Sequence, residues 1–277
     1  MKYANLHLHS TYSDAQFTPK QLVLLGKSLG YKAIALTDHE TDAGCHELKR
    51  YADREGGIKV LPGIEFYGKI DNRVPHIVCL DHDMENPALR AFVKEHVESY
   101  TEYTRKCVEY GINIGVIDGI TWDDVVKYSG EGTWICIDSL FNAYRTLHIP
   151  IPANLRQDVF KVPETRQYRP KKATVEEVIK VIRKAGGIAI LAHPTNFTQY
   201  VPQLVEYGLN GIEVDHPEIS AETAALAEEA AKVFNLYRSG GTDHTGPMSS
   251  CGGKGAVPAF NGITEEEYVT IKERRLG

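Results

Sequence analysis

The chain has 277 residues, 42% of them hydrophobic and 25% charged, with a net charge of -6; that composition supports a buried core and excludes a disordered chain. An acidic protein without a basic stripe lacks the counterion-releasing surface of a dedicated nucleic-acid binder, which points to small substrates. Cys45, Cys79, Cys107, Cys136 and Cys251 form no C-x-x-C pair, there is no leader-like start and no apolar run of about twenty residues, so a reduced cytoplasmic protein is expected, with no membrane partner.

Leu6-His7-Leu8-His9 alternates, so a strand there would turn both leucines to one face and both histidines to the other. Thr18 as N-cap, Pro19 at the first helical position and Gln21 three residues after the cap open a helix carrying Leu22, Leu25 and Leu29 and closed by Gly30. A strand follows over Ala33 to Thr37, then a helix from Ala43 to Arg54 stopped by Gly56-Gly57, a strand from Ile58 to Leu61 and another from His76 to Leu80. A long helical pattern from Pro87 to Tyr110 leads into short mixed segments and a Pro-containing stretch, Ile149 to Pro170. Thr174 and Glu177 then form the capping box of a helix to Ala185, followed by strands over Ile188 to Ala192 and Gly211 to Val214 and a helix from Ala221 to Phe234. Strands alternating with helices predict parallel β/α units in a barrel, residues 1–85 and 173–277, with an inserted, mainly helical cap subdomain, residues 86–172, over its mouth.

Almost all of the residues with metal-ligand chemistry fall at the C-terminal ends of predicted strands, where α/β barrels place their active sites: His7, His9, Asp14, Asp38, His39, Glu65, His76, His193, Asp243 and His244. Two histidines at i and i+2 on a strand can reach one ion, and a carboxylate such as Glu65 can bridge two. Imidazole and carboxylate without thiolate suit manganese, iron or zinc in a hydrolytic role. His216, just after the strand ending at Val214, is a candidate for substrate contact, whereas His46, His96 and His148 sit in helical patterns and read as solvated or packing residues.

Taken in order, His7-x-His9, Ser13-Asp14, Thr37-Asp38-His39, Gly63-x-Glu65, His76, Ala192-His193-Pro194 and Gly241-Thr242-Asp243-His244 resemble the motifs of the PHP (polymerase and histidinol phosphatase) superfamily over about residues 3–82 and 174–255. The resemblance implies an α/β fold, a distorted (β/α)7 TIM-like barrel, and a metal-dependent phosphoesterase that cleaves small phosphate esters, of phosphomonoester or nucleotide type, by attack of a metal-bound hydroxide. It implies two or three divalent ions: His7, His9, Glu65 and Asp243 on one, Glu65, His76 and His193 on a second, Asp14 and His39 with a histidine of the final motif on a third. Asp38 and His216 are the candidates for catalytic or supporting roles. The family's final motif usually reads Asp-x-His, whereas here His244 follows Asp243 directly and Thr245 stands in the expected place; the Gly240-Gly241 pair gives the loop freedom to aim His244 inward. Cations of the insert, Arg145, Arg166, Arg169 and Lys171, are the candidates for a substrate phosphate. Histidinol-phosphate phosphatase, a polymerase-type proofreading nuclease and a non-catalytic binding relic are the rival readings.

Overall fold

Local signals and elements coincide where caps and apolar spacing agree. The computed structural model describes residues 2–129, 134–246 and 260–276. Helix α1 (Pro19–Ser28) starts as its capping box requires, with Thr18 and Gln21 each satisfying the other's backbone N–H. Strand β2 (Ala33–Leu36) and helix α2 (Ala43–Glu55) follow, the helix ending at Gly56 with a φ of 61°. Later, α7 (Val175–Lys184) buries the stripe Val175, Val178, Ile179 and Ile182. Burying each of those side chains contributes about 1.5–3 kcal/mol.

A seven-stranded sheet runs in sequence order from β1 (Ala4–Asn5) through β2, β3 (Lys59–Tyr67), β4 (His76–Leu80), β5 (Ile188–Leu191) and β6 (Gly211–Asp215) to β7 (Tyr237–Gly240). It curls into a nearly closed barrel: the Leu6 N–H donates to the Gly240 carbonyl, and the Asp243 N–H to that of His7. The expectation of parallel pairing fails at one strand, because β4 runs antiparallel to both β3 and β5. Only residues 68–75 join β3 to β4, fewer than a parallel crossover needs. The reversal places His76, the first residue of β4, opposite Tyr67, the last of β3, at the same end of the barrel as the other strands' C-termini.

Interior packing comes from Ala4, Leu6, Ala33, Ala35, Leu61, Val78, Leu80, Ile188 and Ile190, joined by Tyr268 and Ile271 of α10 (Glu265–Lys272). Ile34 and Leu36 alternate outward to meet Leu22 and Leu48 of α1 and α2. The regular strand expected over Leu6 to His9 is absent; β1 ends at Asn5, and Leu6 packs inside the barrel while Leu8 joins the outer layer. Helices α8 (Val201–Tyr207) and α9 (Ala221–Val233) complete the outer layer with α7.

Between β4 and β5 lie α3 (Pro87–Asn113), α4 (Trp122–Lys127), α5 (Ile137–Thr146), a π-helical turn at Arg156–Phe160 and α6 (Pro163–Arg166). These segments share a core that includes Cys107, Val108, Leu140, Tyr144 and Val159. Cys45, Cys79, Cys107 and Cys136 are buried free thiols, and Cys251 lies outside the described residues, as do the last residues of the motif match. Among the described residues no helix is long and apolar enough to cross a membrane.

Candidate metal centre

Glu65, fully buried, is the hub of the barrel mouth. Its Oε1 lies 2.9 Å from His76 Nδ1, 3.0 Å from His193 Nε2 and 3.3 Å from His7 Nε2, and its Oε2 lies 3.1 Å from His39 Nδ1 and 3.2 Å from His9 Nε2. Asp243 Oδ1 is 3.0 Å from His9 Nε2 and 3.7 Å from His7 Nε2. Asp14 reaches His9 Nδ1 at 3.5 Å and His39 Nε2 at 3.7 Å. Among the described residues four sets of donor atoms each fall within 4.8 Å of one another: His7, His9, Glu65 and Asp243; His39, Glu65 and His76; His9, Asp14 and His39; and His7, Glu213 and His216.

Several of these buried atoms have no hydrogen-bond partner, among them His7 Nε2, both ring nitrogens of His9, His39 Nδ1 and Glu65 Oε2. A buried polar atom left so costs about 1–3 kcal/mol, which a cation at the centre of the cluster would repay. Imidazole nitrogens and carboxylate oxygens at this spacing fit divalent ions.

Burial alone would raise the Glu65 carboxyl, but the charges of His7, His76 and His39 and the bond from His193 hold it well below the usual range. Burial opposes ionisation of Asp243 too, and His7, His216 and His9 outweigh it. Burial lowers the imidazoles of His39 and His76. These four groups therefore stand in the protonation states that ligation requires. His9 differs: burial would lower it, yet Asp243, Glu65 and Asp14 raise it to about 10. Burial pushes Asp14 up to about 7 against the opposing charge of His9.

Nine of the ten ligand-type positions lie in or beside this cluster in differing ways. Asp38 stands behind it, its oxygens accepting from the Ser10 N–H and hydroxyl, both at 2.7 Å, and from the Ser13 hydroxyl at 2.5 Å, which anchors the loop carrying Asp14. His216 sits beneath Asp243, with Nε2 3.5 Å from Asp243 Oδ2. His244 departs from the expectation. It pairs with Leu8 across the closing strands, on the outer-layer side, and its ring stacks on Phe17 with centroids 5.1 Å apart, outside all four donor sets. The left-handed residue of this loop is Asp243, φ 46°, whereas Gly240 and Gly241 have ordinary φ. Gly241 serves close approach instead, since a Cβ there would collide with the His7 backbone nitrogen.

Glu213 was not among the sequence candidates. Its Oε1 takes the His7 Nδ1 contact at 2.9 Å, and its Oε2 accepts from the His193 N–H at 2.7 Å. A carboxylate behind a ligating imidazole fixes its tautomer and orientation. Here it also anchors His193, whose φ of 24° is uncommon for a side chain of that size.

A cavity of about 220 Å³ opens on the cluster, lined by Asp14, His39, Glu65, His76, Asp243 and Thr245 and by Trp134, Cys136, Asp138 and Arg156 of the insert. It shares Tyr67, Trp134, Cys136, Ile137 and Arg156 with a neighbouring cavity of about 330 Å³. That second chamber adds Tyr100, Tyr103 and Phe160 with Lys161, Arg169 and Lys172. Lys172 Nζ lies 2.6 Å from the Tyr100 hydroxyl and 4.2 Å from the centre of the Tyr67 ring. Of the insert cations expected to meet substrate, only Arg169 lines either chamber. Arg145 bonds Asn142 and lies over Phe141, Arg166 donates to the Lys161 carbonyl, and Lys171 is exposed. Arg156 and Lys172 line the chambers as well.

The PHP domain model matches residues 5–193. The chain is 29% identical, over 87% of its length and 94% of the relative's, to phosphoribosyl 1,2-cyclic phosphate 1,2-diphosphodiesterase of Eggerthella lenta. It is 27% identical to the 5'-3' exoribonuclease Rnm of Salmonella typhimurium over 88% and 85% of the two chains. A 3',5'-nucleoside bisphosphate phosphatase of Chromobacterium violaceum is also 27% identical, over 89% and 88%. In fold it is similar to a protein of Bifidobacterium adolescentis described as a metal-dependent phosphoesterase, at a TM-score of 0.80 and 23% identity over 99% and 96% of the chains. The chain belongs to the PHP domain family and is a metal-dependent hydrolase of phosphoric esters.

Proposed function

We propose that the protein removes phosphate from a small molecule carrying a flat ring and a second anionic group, a nucleoside bisphosphate being the type. The observation that supports this is the chamber beside the metal cavity, with aromatic walls at Tyr67, Tyr100, Trp134 and Phe160 and cations at Arg156, Arg169 and Lys172. Flat rings stack on aromatic walls, and guanidinium groups bind phosphate oxygens in pairs. A cationic leaving group such as histidinol meets the like charges of Arg156, Arg169 and Lys172 there, which counts against the histidinol-phosphate alternative.

In this reading His7, His9, Glu65 and Asp243 hold one divalent ion, Glu65, His76 and His193 a second, and His9, Asp14 and His39 mark a third position. Divalent ions bound there supply charge neutralisation at phosphorus and acidify an attacking water. The chain's own residues do the rest. Arg156, lining both chambers, orients the phosphoryl group, while Asp38 holds the Asp14 loop and His216 steadies Asp243 from below. Residues 86–172 act as a cap supplying the aromatic and cationic walls, and residues 1–85 and 173–277 supply the metal ligands. Nucleic acid is not the main substrate in this reading, since the second chamber is sized for one nucleotide.

Phosphate release from nucleoside 3',5'-bisphosphates, nucleoside 5'-monophosphates, histidinol phosphate and a short 5'-phosphorylated RNA tests it. The bisphosphate is expected to exceed the monophosphate in kcat/KM by about tenfold, the value of one additional charge-assisted contact. Arg156→Ala is expected to lose a similar factor without loss of metal. A clear preference for RNA or for histidinol phosphate would overturn the substrate reading while leaving the hydrolase in place.

A further inference from the structure

His9, Asp14 and His39 offer three donor atoms within 4.8 Å of one another, two from imidazole and one from carboxylate. Three protein donors leave a tetrahedral or octahedral ion short of partners. Among the described residues of the cavity, one neutral group that answers to this need is Thr245. It is 2% exposed, its Oγ1 has no hydrogen-bond partner, and it lines the same cavity as Asp14 and His39. Its backbone is pinned, the Thr245 carbonyl accepting from the Gln16 N–H on the loop that follows Asp14. Leu8 and His244 pair on the outer-layer side, and Asp243 and Thr245, the residues flanking His244, both face the cavity.

We propose that Thr245 Oγ1 is the fourth protein donor at the position marked by His9, Asp14 and His39, which makes that position weaker than its neighbours. The inference rests on the reading that the cluster holds divalent ions, and adds to it which residue completes the third position and what that does to affinity. A neutral hydroxyl carries neither the charge of a carboxylate nor the donor strength of imidazole. A hydroxyl in the fourth place holds an ion less firmly than a further imidazole or carboxylate would, so the third position takes an ion that exchanges with solution. Thr245 is the residue that decides whether the chain works with two resident ions or three.

The test is metal binding by metal-free protein, read without reference to turnover. Wild-type protein loaded with manganese or with zinc is passed through gel filtration and analysed for metal, and separately equilibrated with millimolar manganese by dialysis. Two ions are expected to survive filtration, with a third present only at equilibrium with manganese. Thr245→Ser is expected to behave as wild type, Thr245→Val to lower the affinity for the third ion at least tenfold, and Thr245→His to carry a third ion, zinc included, through filtration. Val and Ser variants that both titrate as wild type would overturn the assignment, as would a wild-type protein that retains three zinc ions. A Thr245→Val protein with unchanged metal binding and a raised KM would also overturn it, making the hydroxyl a substrate contact. A wild-type protein that takes up no divalent ion would overturn the underlying metal reading itself, a result distinct from every other because the Ser and Val variants would then be equally empty.

Discussion

At the scale of single residues the site is organised by two carboxylates. Glu65 touches five imidazoles from the mouth, and Glu213 touches two residues proposed as ligands of different ions, at the His7 ring and the His193 backbone. Supporting carboxylates of this kind are worth about 10–100-fold in metal affinity. Glu213→Ala is expected to weaken manganese binding by that factor at both positions while circular dichroism stays that of the wild type; unchanged affinity in a calorimetric titration would show that His7 and His193 hold their geometry unaided. The clustered histidines and carboxylates, His244 apart, were legible in the sequence because such residues at strand ends are costly to explain otherwise. Glu213 was not, since it sits inside the apolar strand Gly211–Asp215 with no partner visible at short range. Arg156 escaped for another reason: it opens a π-helical turn in a stretch without helical or strand periodicity, so nothing in the local pattern says where its side chain goes.

At the scale of elements, the closure of the barrel and the construction of the site are the same event. The segment after β7 runs against the segment after β1, bringing Asp243 to His7 and leaving no room for a side chain at Gly241. Gly241→Ala is expected to cost about 1–3 kcal/mol, as overpacking does, and to lower metal content together with stability, measured by urea unfolding and elemental analysis on the same preparation. Unchanged stability and metal content would mean that the two segments can part without consequence. The direction of β4 shows how one element length can conceal another feature. The alternation of strands with helices predicts parallel pairing throughout, and a strand read only from Ile58 to Leu61 leaves a gap to His76 that does not contradict it. Because β3 continues through Pro62-Gly63 to Tyr67, the true connection is a short hairpin-like link and the reversed strand is forced. His76 was placed at the correct end of the barrel for the wrong reason.

At the scale of the whole molecule, the barrel carries the histidine and carboxylate cluster, and the segments between β4 and α7 form one wall of the cavity above it. The insert's helices have their own core, and their Trp134, Cys136, Asp138 and Arg156 reach down to the ion cluster. The central claim is that phosphoester hydrolysis depends on divalent ions held around Glu65. It is tested most directly by stripping the protein with chelator, reloading it with manganese, and measuring metal content and phosphate release together for wild type and Glu65→Gln. Wild type is expected to lose activity on stripping and recover it as at least two ions return, and Glu65→Gln to stay folded, bind fewer ions and fall by several orders of magnitude in kcat. Stripped protein that remains fully active, or a Glu65→Gln variant with wild-type metal content and turnover, would contradict it.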